Sequence, residues 1–166
     1  MCFTGKGKGK TTAALGAMMR AYGRGLKVIM LQFIKKEGVE FGEHISARKL
    51  GFEIIPLGAG FTWKSKDIEK DRITSLKCWE MCKDKILNSD YDLIVLDEIT
   101  YPIKYNWLDI NEVLDTLQNK PKWMHIILTG RDAHEKLLSK CDLVTEMLEV
   151  NHHFKNGIRQ QIGIEK

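Results

Sequence analysis

Short apolar runs bounded by glycine, proline and acidic residues alternate along the chain with longer segments in which apolar positions recur every three or four residues. Residues 27–33 (KVIMLQF), 52–57 (FEIIPL), 91–97 (YDLIVLD), 124–128 (MHIIL) and a segment near 143–147 read as strands. Their apolar character is nearly continuous, as in strands covered on both faces of a sheet. A further short apolar start, Cys2 and Phe3, leads the chain. Between these runs, Leu15, Met18, Met19 and Tyr22 recur at helical spacing until Gly23 and Gly25 supply a stop. Residues 40–50, 66–88, 111–119 and 133–139 predict further helices, with Asp109 or Asn111 as a cap for the third of these. In the long one Ile73, Leu76, Trp79 and Ile86 form the expected buried stripe. The tail, 150–165, carries Asn156-Gly157 between short apolar-polar segments and predicts a hairpin.

Strands alternating with helices imply an α/β fold with a mostly parallel sheet flanked by helices. No repeat, linker or low-complexity segment divides residues 1–166, so a single domain is expected. Apolar content of 43% and charged content of 29% are ordinary for a soluble globular chain. The formal charge of +4 is mild, and no basic run or aromatic-basic repeat suggests nucleic acid. No stretch approaches the length of a membrane span, and Met1 leads into a strand rather than a signal peptide, so a cytoplasmic protein is expected. Of the four cysteines, Cys78 and Cys82 share a helix face but lack the second pair a zinc site needs. Reduced, buried thiols are expected.

The chemistry begins at residues 4–12, TGKGKGKTT, which lie between the first apolar run and the first helix. That context suits a phosphate-binding P-loop. Backbone N–H groups of Gly5, Gly7 and Gly9 can approach a polyphosphate because no Cβ blocks them, and the helix beginning at Lys10 adds its positive end. Lys6 and Lys8 add charge, Lys10 would reach the terminal phosphates, and the Thr11 hydroxyl, followed by Thr12, would ligate Mg²⁺ or Mn²⁺. Thr4 stands where the common pattern has glycine.

The run 93–97 ends in Asp97-Glu98 and reads as a Walker B strand, placing a carboxylate at the edge where open α/β sheets bind ligands. Asp97 or Glu98 could hold the cation, directly or through water. Arg131 follows a strand in the same way and could contact phosphate. Phe61 and Trp63 flank Thr62 in a glycine-rich loop and suggest an aromatic wall over a flat ligand. His152 and His153 are adjacent and make a poor metal pair on a strand.

Together these stretches resemble the P-loop type of cob(I)alamin (corrinoid) adenosyltransferase. The matching segments are TGKGKGKTTAALG at 4–16, QFIK at 32–35, GFTW at 60–63, LIVLDEITY at 93–101, LTGR at 128–131, DLVTEM at 142–147 and HHFKNGIRQQIGIE at 152–165. Members of this family write threonine at the head of the loop, as Thr4 does here. The resemblance implies a RecA-like P-loop domain that binds ATP, in a reversed orientation in the loop, and a reduced corrinoid. It implies transfer of the 5′-deoxyadenosyl group to cobalt with release of triphosphate. It also implies that Phe61 and Trp63 pack beneath the corrin and exclude its lower axial ligand, easing reduction by a flavin-type donor protein, and that the chain is a homodimer. Lys10, Phe61 and Trp63 would thus be the catalytic residues. Family members usually carry a longer segment before the first strand, in some covering a partner's corrinoid site, and many have proline where His153 stands.

Two other readings suit parts of the pattern. A P-loop ATPase or kinase would use Glu98 to polarise a nucleophile against the γ-phosphate. A nucleotide-dependent binding module would deliver the corrinoid without turnover.

Overall fold

The computed structural model describes residues 1–36, 38–58, 60 and 68–164. Six strands, β1 (Cys2–Thr4), β2 (Val28–Lys36), β3 (Glu53–Gly58), β4 (Leu93–Asp97), β5 (His125–Thr129) and β6 (Val144–Glu146), form one sheet in the order β3-β2-β4-β5-β1-β6. Every pairing in it is parallel. One strand, β5, lies between β1, which feeds the glycine-rich loop, and β4, which ends in Asp97. This is the arrangement of a RecA-like P-loop domain.

The alternation of side chains along each strand accounts for the two layers of core. Val28, Met30, Leu93, Val95 and Ile127 face helix α1 (Lys10–Tyr22), meeting Ala14 and Met18. Ile29, Leu31, Phe33, Ile94, Leu96, Ile126 and Leu128 belong to the opposite core, with helices α3 (Ile68–Asn88) and α5 (Ile110–Gln118) supplying Cys78, Trp79, Cys82, Ile86 and Val113. Both faces are therefore dry, as the continuous apolar runs require. The remaining helices are α2 (Gly42–Leu50), α4 (Thr100–Lys104) and α6 (Glu135–Leu138). Asp109 caps α5 by accepting from the Asn111 amide at 2.8 Å.

Two expectations need correction. On α3 the buried face runs Asp71, Ser75, Cys78, Trp79, Cys82 and Ile86, whereas Ile73 is 44% exposed. The two cysteines are part of the stripe, and counting them as apolar sets the register. Burial pushes the Cys78 thiol up to about 12, and all four cysteines are free.

The tail is not a hairpin. His153–Asn156 form a 3-10 turn whose Phe154 N–H donates to the His152 ring, and Gly157, at φ +75°, closes it. No strand follows β6 among the described residues. An Asn-Gly turn makes a hairpin only where flanking strands can pair, and here a local side-chain cap takes the backbone instead. The His152 and His153 rings stack, with centroids 4.6 Å apart.

Candidate functional site

The loop after β1 is shaped by close packing against the segment after β6. The Gly7 N–H donates to the Met147 carbonyl at 2.7 Å, and the Met147 N–H donates to that of Thr4 at 2.9 Å. A Cβ at Gly5 or Gly7 would stand 2.5 Å from the Met147 or Leu148 carbonyl oxygen, so only glycine fits. Gly9 takes a left-handed φ of +106° and caps α1 without any side-chain acceptor, leaving the helix's first N–H groups for a ligand. Lys10 is buried, and its ammonium donates to the Gly5 and Gly7 carbonyls at 2.9 and 2.7 Å. Burial lowers its pKa, against the pull of Glu98 and Asp97. Lys6 and Lys8 are exposed on the outside of the loop, and Thr12 is exposed one residue beyond Thr11.

Asp97 is the hub of the site. Its Oδ1 accepts from the Thr11 hydroxyl at 2.9 Å and from that of Thr129 at 2.7 Å, and its Oδ2 accepts from the Gln32 amide at 3.1 Å. Thr129 in turn accepts from the Glu98 N–H at 2.9 Å, holding a residue whose backbone is left-handed at φ +65°. Glu98 is not glycine, so this conformation is strained and persists because its neighbours fix it. Its Oε2 is buried with no hydrogen-bond partner among the described residues. Burial, reinforced by Asp97 and opposed by Lys10, Arg131 and Lys35, pushes the Glu98 carboxyl up to about 7.

The donors present fit a hard divalent cation. The Thr11 hydroxyl donates to Asp97, so its lone pairs remain for a cation, and Glu98 offers a carboxylate oxygen that has no partner among the described residues. Among the described residues no group of three or more His, Cys, Asp or Glu could hold a metal. Mg²⁺ needs no such cage when substrate phosphates complete its shell.

Arg131 is exposed and near enough to influence both Lys10 and Glu98. The turn that carries it rests on Thr4, whose hydroxyl accepts the Ala133 N–H at 3.3 Å. That contact gives threonine a function where glycine has none. The aromatic wall of Phe61 and Trp63 lies outside the described residues. The strand leading to it ends at the same edge of the sheet, where the Gly60 N–H donates to the Ile34 carbonyl at 3.0 Å.

Gln32, His44, Thr129 and Lys35 belong to this edge, though none stands among the site residues expected from sequence. Gln32 did carry a signal, being the one polar residue inside an apolar strand, and it is fully buried. Lys35 pairs with Glu43 and sits 4.3 Å above the Phe41 ring centroid, its pKa lowered by burial.

Residues 1–165 match the family described as ATP:corrinoid adenosyltransferase BtuR/CobO/CobP. The corrinoid adenosyltransferase of Escherichia coli K12 is 39% identical over 163 residues, covering 98% of this chain and 83% of that protein. The corrinoid adenosyltransferase CobA of Salmonella typhimurium LT2 is 38% identical over 163 residues, with the same coverage. That of Pseudomonas aeruginosa is 37% identical over 164 residues, covering 98% and 80%.

Proposed function

We propose that this chain, which belongs to the corrinoid adenosyltransferase family, transfers the 5′-deoxyadenosyl group of ATP to the cobalt of a reduced corrinoid and releases triphosphate. The observation that carries this reading is the family match across residues 1–165, which includes every residue of the loop and of the Asp97 hub. The geometry of the loop supports the nucleotide end of this reading. The loop N–H groups, the start of α1 and Lys10 bind the triphosphate, and Thr11 and Glu98 hold Mg²⁺ with Asp97 behind Thr11. Bound there, the cation screens charge on the phosphates.

Cobalt(I) supplies its own electron pair, so attack on C5′ needs no general base. The C5′–O5′ bond breaks, its electron pair leaves on triphosphate, and cobalt becomes formally cobalt(III). The chain's contribution is in-line placement and stabilisation of a polyanionic leaving group. Lys10 and Arg131 serve that end, with Lys6 and Lys8 adding positive field. Phe61 and Trp63 pack beneath the corrin and exclude its lower ligand, which eases cobalt reduction by a flavin-type donor. The chain acts as one domain and as a homodimer in the cytoplasm. No helix among the described residues is long and apolar enough to cross a membrane.

The buried Glu98 carboxyl also suits a water-polarising role, which favours γ-phosphate cleavage as the second reading. An anaerobic assay with ATP, Mg²⁺ and chemically reduced cob(I)alamin separates the two. Light-sensitive adenosylcobalamin with equimolar triphosphate supports transfer, whereas ADP and phosphate with an unchanged corrinoid would refute it.

A further inference from the structure

The Asp97 carboxylate is held from behind by a chain of buried side chains. Helix α2 begins after Phe41, whose N–H donates to His44 Nδ1 at 3.2 Å. An Nδ1 that accepts carries no proton, so the proton of the neutral ring sits on Nε2. That nitrogen lies 2.7 Å from Gln32 Oε1 and donates to it. With its oxygen engaged, Gln32 can present only its NH₂ to the far side, and it donates to Asp97 Oδ2 at 3.1 Å. Each assignment forces the next. His44 is 7% exposed, Gln32 0% and Asp97 1%, so water does not compete for these bonds.

Without Gln32 fixed by His44, the amide could turn its oxygen toward Asp97, and acceptor would face acceptor. With it fixed, Asp97 Oδ2 is occupied and Oδ1 is left to take the Thr11 and Thr129 hydroxyls. Those two contacts hold one proposed cation ligand, Thr11, and the strained backbone of the other, Glu98. A single orienting contact on α2 is thereby transmitted to both oxygens that face the cation.

We infer that His44 is a positioning residue that acts through Gln32 to orient Asp97, and so sets the affinity of the loop for a divalent cation with its nucleotide. The inference rests on the P-loop reading above but not on the corrinoid half of the reaction. It concerns bonds behind the ligands, where replacement of a partner commonly costs roughly 10- to 100-fold in metal affinity.

The test is Mn²⁺ binding to the full-length, corrinoid-free protein in the presence of ATP, followed by electron paramagnetic resonance of the free ion. His44→Leu should weaken Mn²⁺ binding about 10-fold or more. His44→Gln, which keeps a donor directed at Gln32, should recover most of the loss. Gln32→Met should match His44→Leu, and combining the two should add nothing further, because they interrupt one chain. Melting temperatures of the same variants separate this from unfolding, and Gln32→Met alone decides the matter if His44→Leu does not fold. Mn²⁺ binding indifferent to His44 and Gln32, no recovery with His44→Gln, or fully additive losses would overturn the relay alone. Failure of the wild-type protein to bind Mn²⁺ with ATP would overturn the nucleotide reading along with it.

Discussion

The two edges of the sheet differ in a way that separates a site from a hollow. At the edge where β2, β3 and β4 begin, a cavity of about 800 Å³ opens between Tyr22, Leu26, Phe52, Lys85 and Tyr91. Its polar groups satisfy one another. Lys27 pairs with Asp90, and the Tyr91 hydroxyl donates to Glu53 at 2.5 Å. At the opposite edge the buried groups are overdetermined. Asp97 accepts three hydrogen bonds, Glu98 is held at positive φ, and one of its oxygens has no partner among the described residues. Volume marks where a ligand could fit. Polar groups fixed at a cost, with one left unmatched, mark where a ligand is needed.

The sharpest way to break that contrast is Lys10→Ala, which removes the charge seated between the Gly5 and Gly7 carbonyls. Turnover should fall by roughly 10²- to 10³-fold, the scale of losing one preorganised charge-stabilising group. Steady-state kinetics on the corrinoid spectrum would measure it, and near-normal turnover would contradict the placement of the triphosphate. Glu98→Gln should act in two directions. In the nucleotide-free protein the folded chain keeps this proton up to about pH 7, while an unfolded carboxyl releases it near the ordinary 4.5. Stability therefore falls as pH rises between those values and stays lower above them. The amide should abolish that fall, raising the unfolding free energy near pH 8 by up to about 3 kcal/mol, while turnover drops with loss of the cation ligand. Denaturant melts at about pH 5 and pH 8 would expose the difference.

Smaller effects sharpen the comparison. Thr4→Val keeps the strand but deletes the acceptor for the Ala133 N–H. The apparent KM for ATP should rise about 2- to 10-fold, as for one neutral hydrogen bond that positions Arg131. Tyr91→Phe at the opposite edge should change stability by no more than about 1 kcal/mol and leave turnover at the wild-type value. A large loss of activity there would mean that the cavity is functional after all.

Much of this edge was legible from sequence. The loop residues 4–12, the strand ending in Asp97-Glu98 and the strand preceding Arg131 all converge on one end of a parallel sheet. Local composition carries that information, because glycine spacing and apolar runs determine each piece separately. What stayed hidden depends on partners distant in sequence. His44 contacts Gln32 across 12 residues and Thr129 contacts Asp97 across 32, and neither type of residue announces its partner. Helix α4 escaped notice because Pro102 lies inside it, yet proline is tolerated in a helix's first turn. The tail misled for the opposite reason. Its turn dipeptide was plain, but the strand partner it required was missing.

The stitching of the loop to Met147 and Leu148 has a consequence for the newborn chain. Strand β1 lies between β5 and β6, so the first of the six described strands is bounded on both sides by the last two. During synthesis, the contacts of the glycine-rich loop to Met147 and Leu148 can form only once those residues have emerged. Contacts of such long sequence separation form slowly. A chain halted before β6 would lack the Met147 carbonyl that receives the Gly7 N–H, and so the contact that shapes the loop.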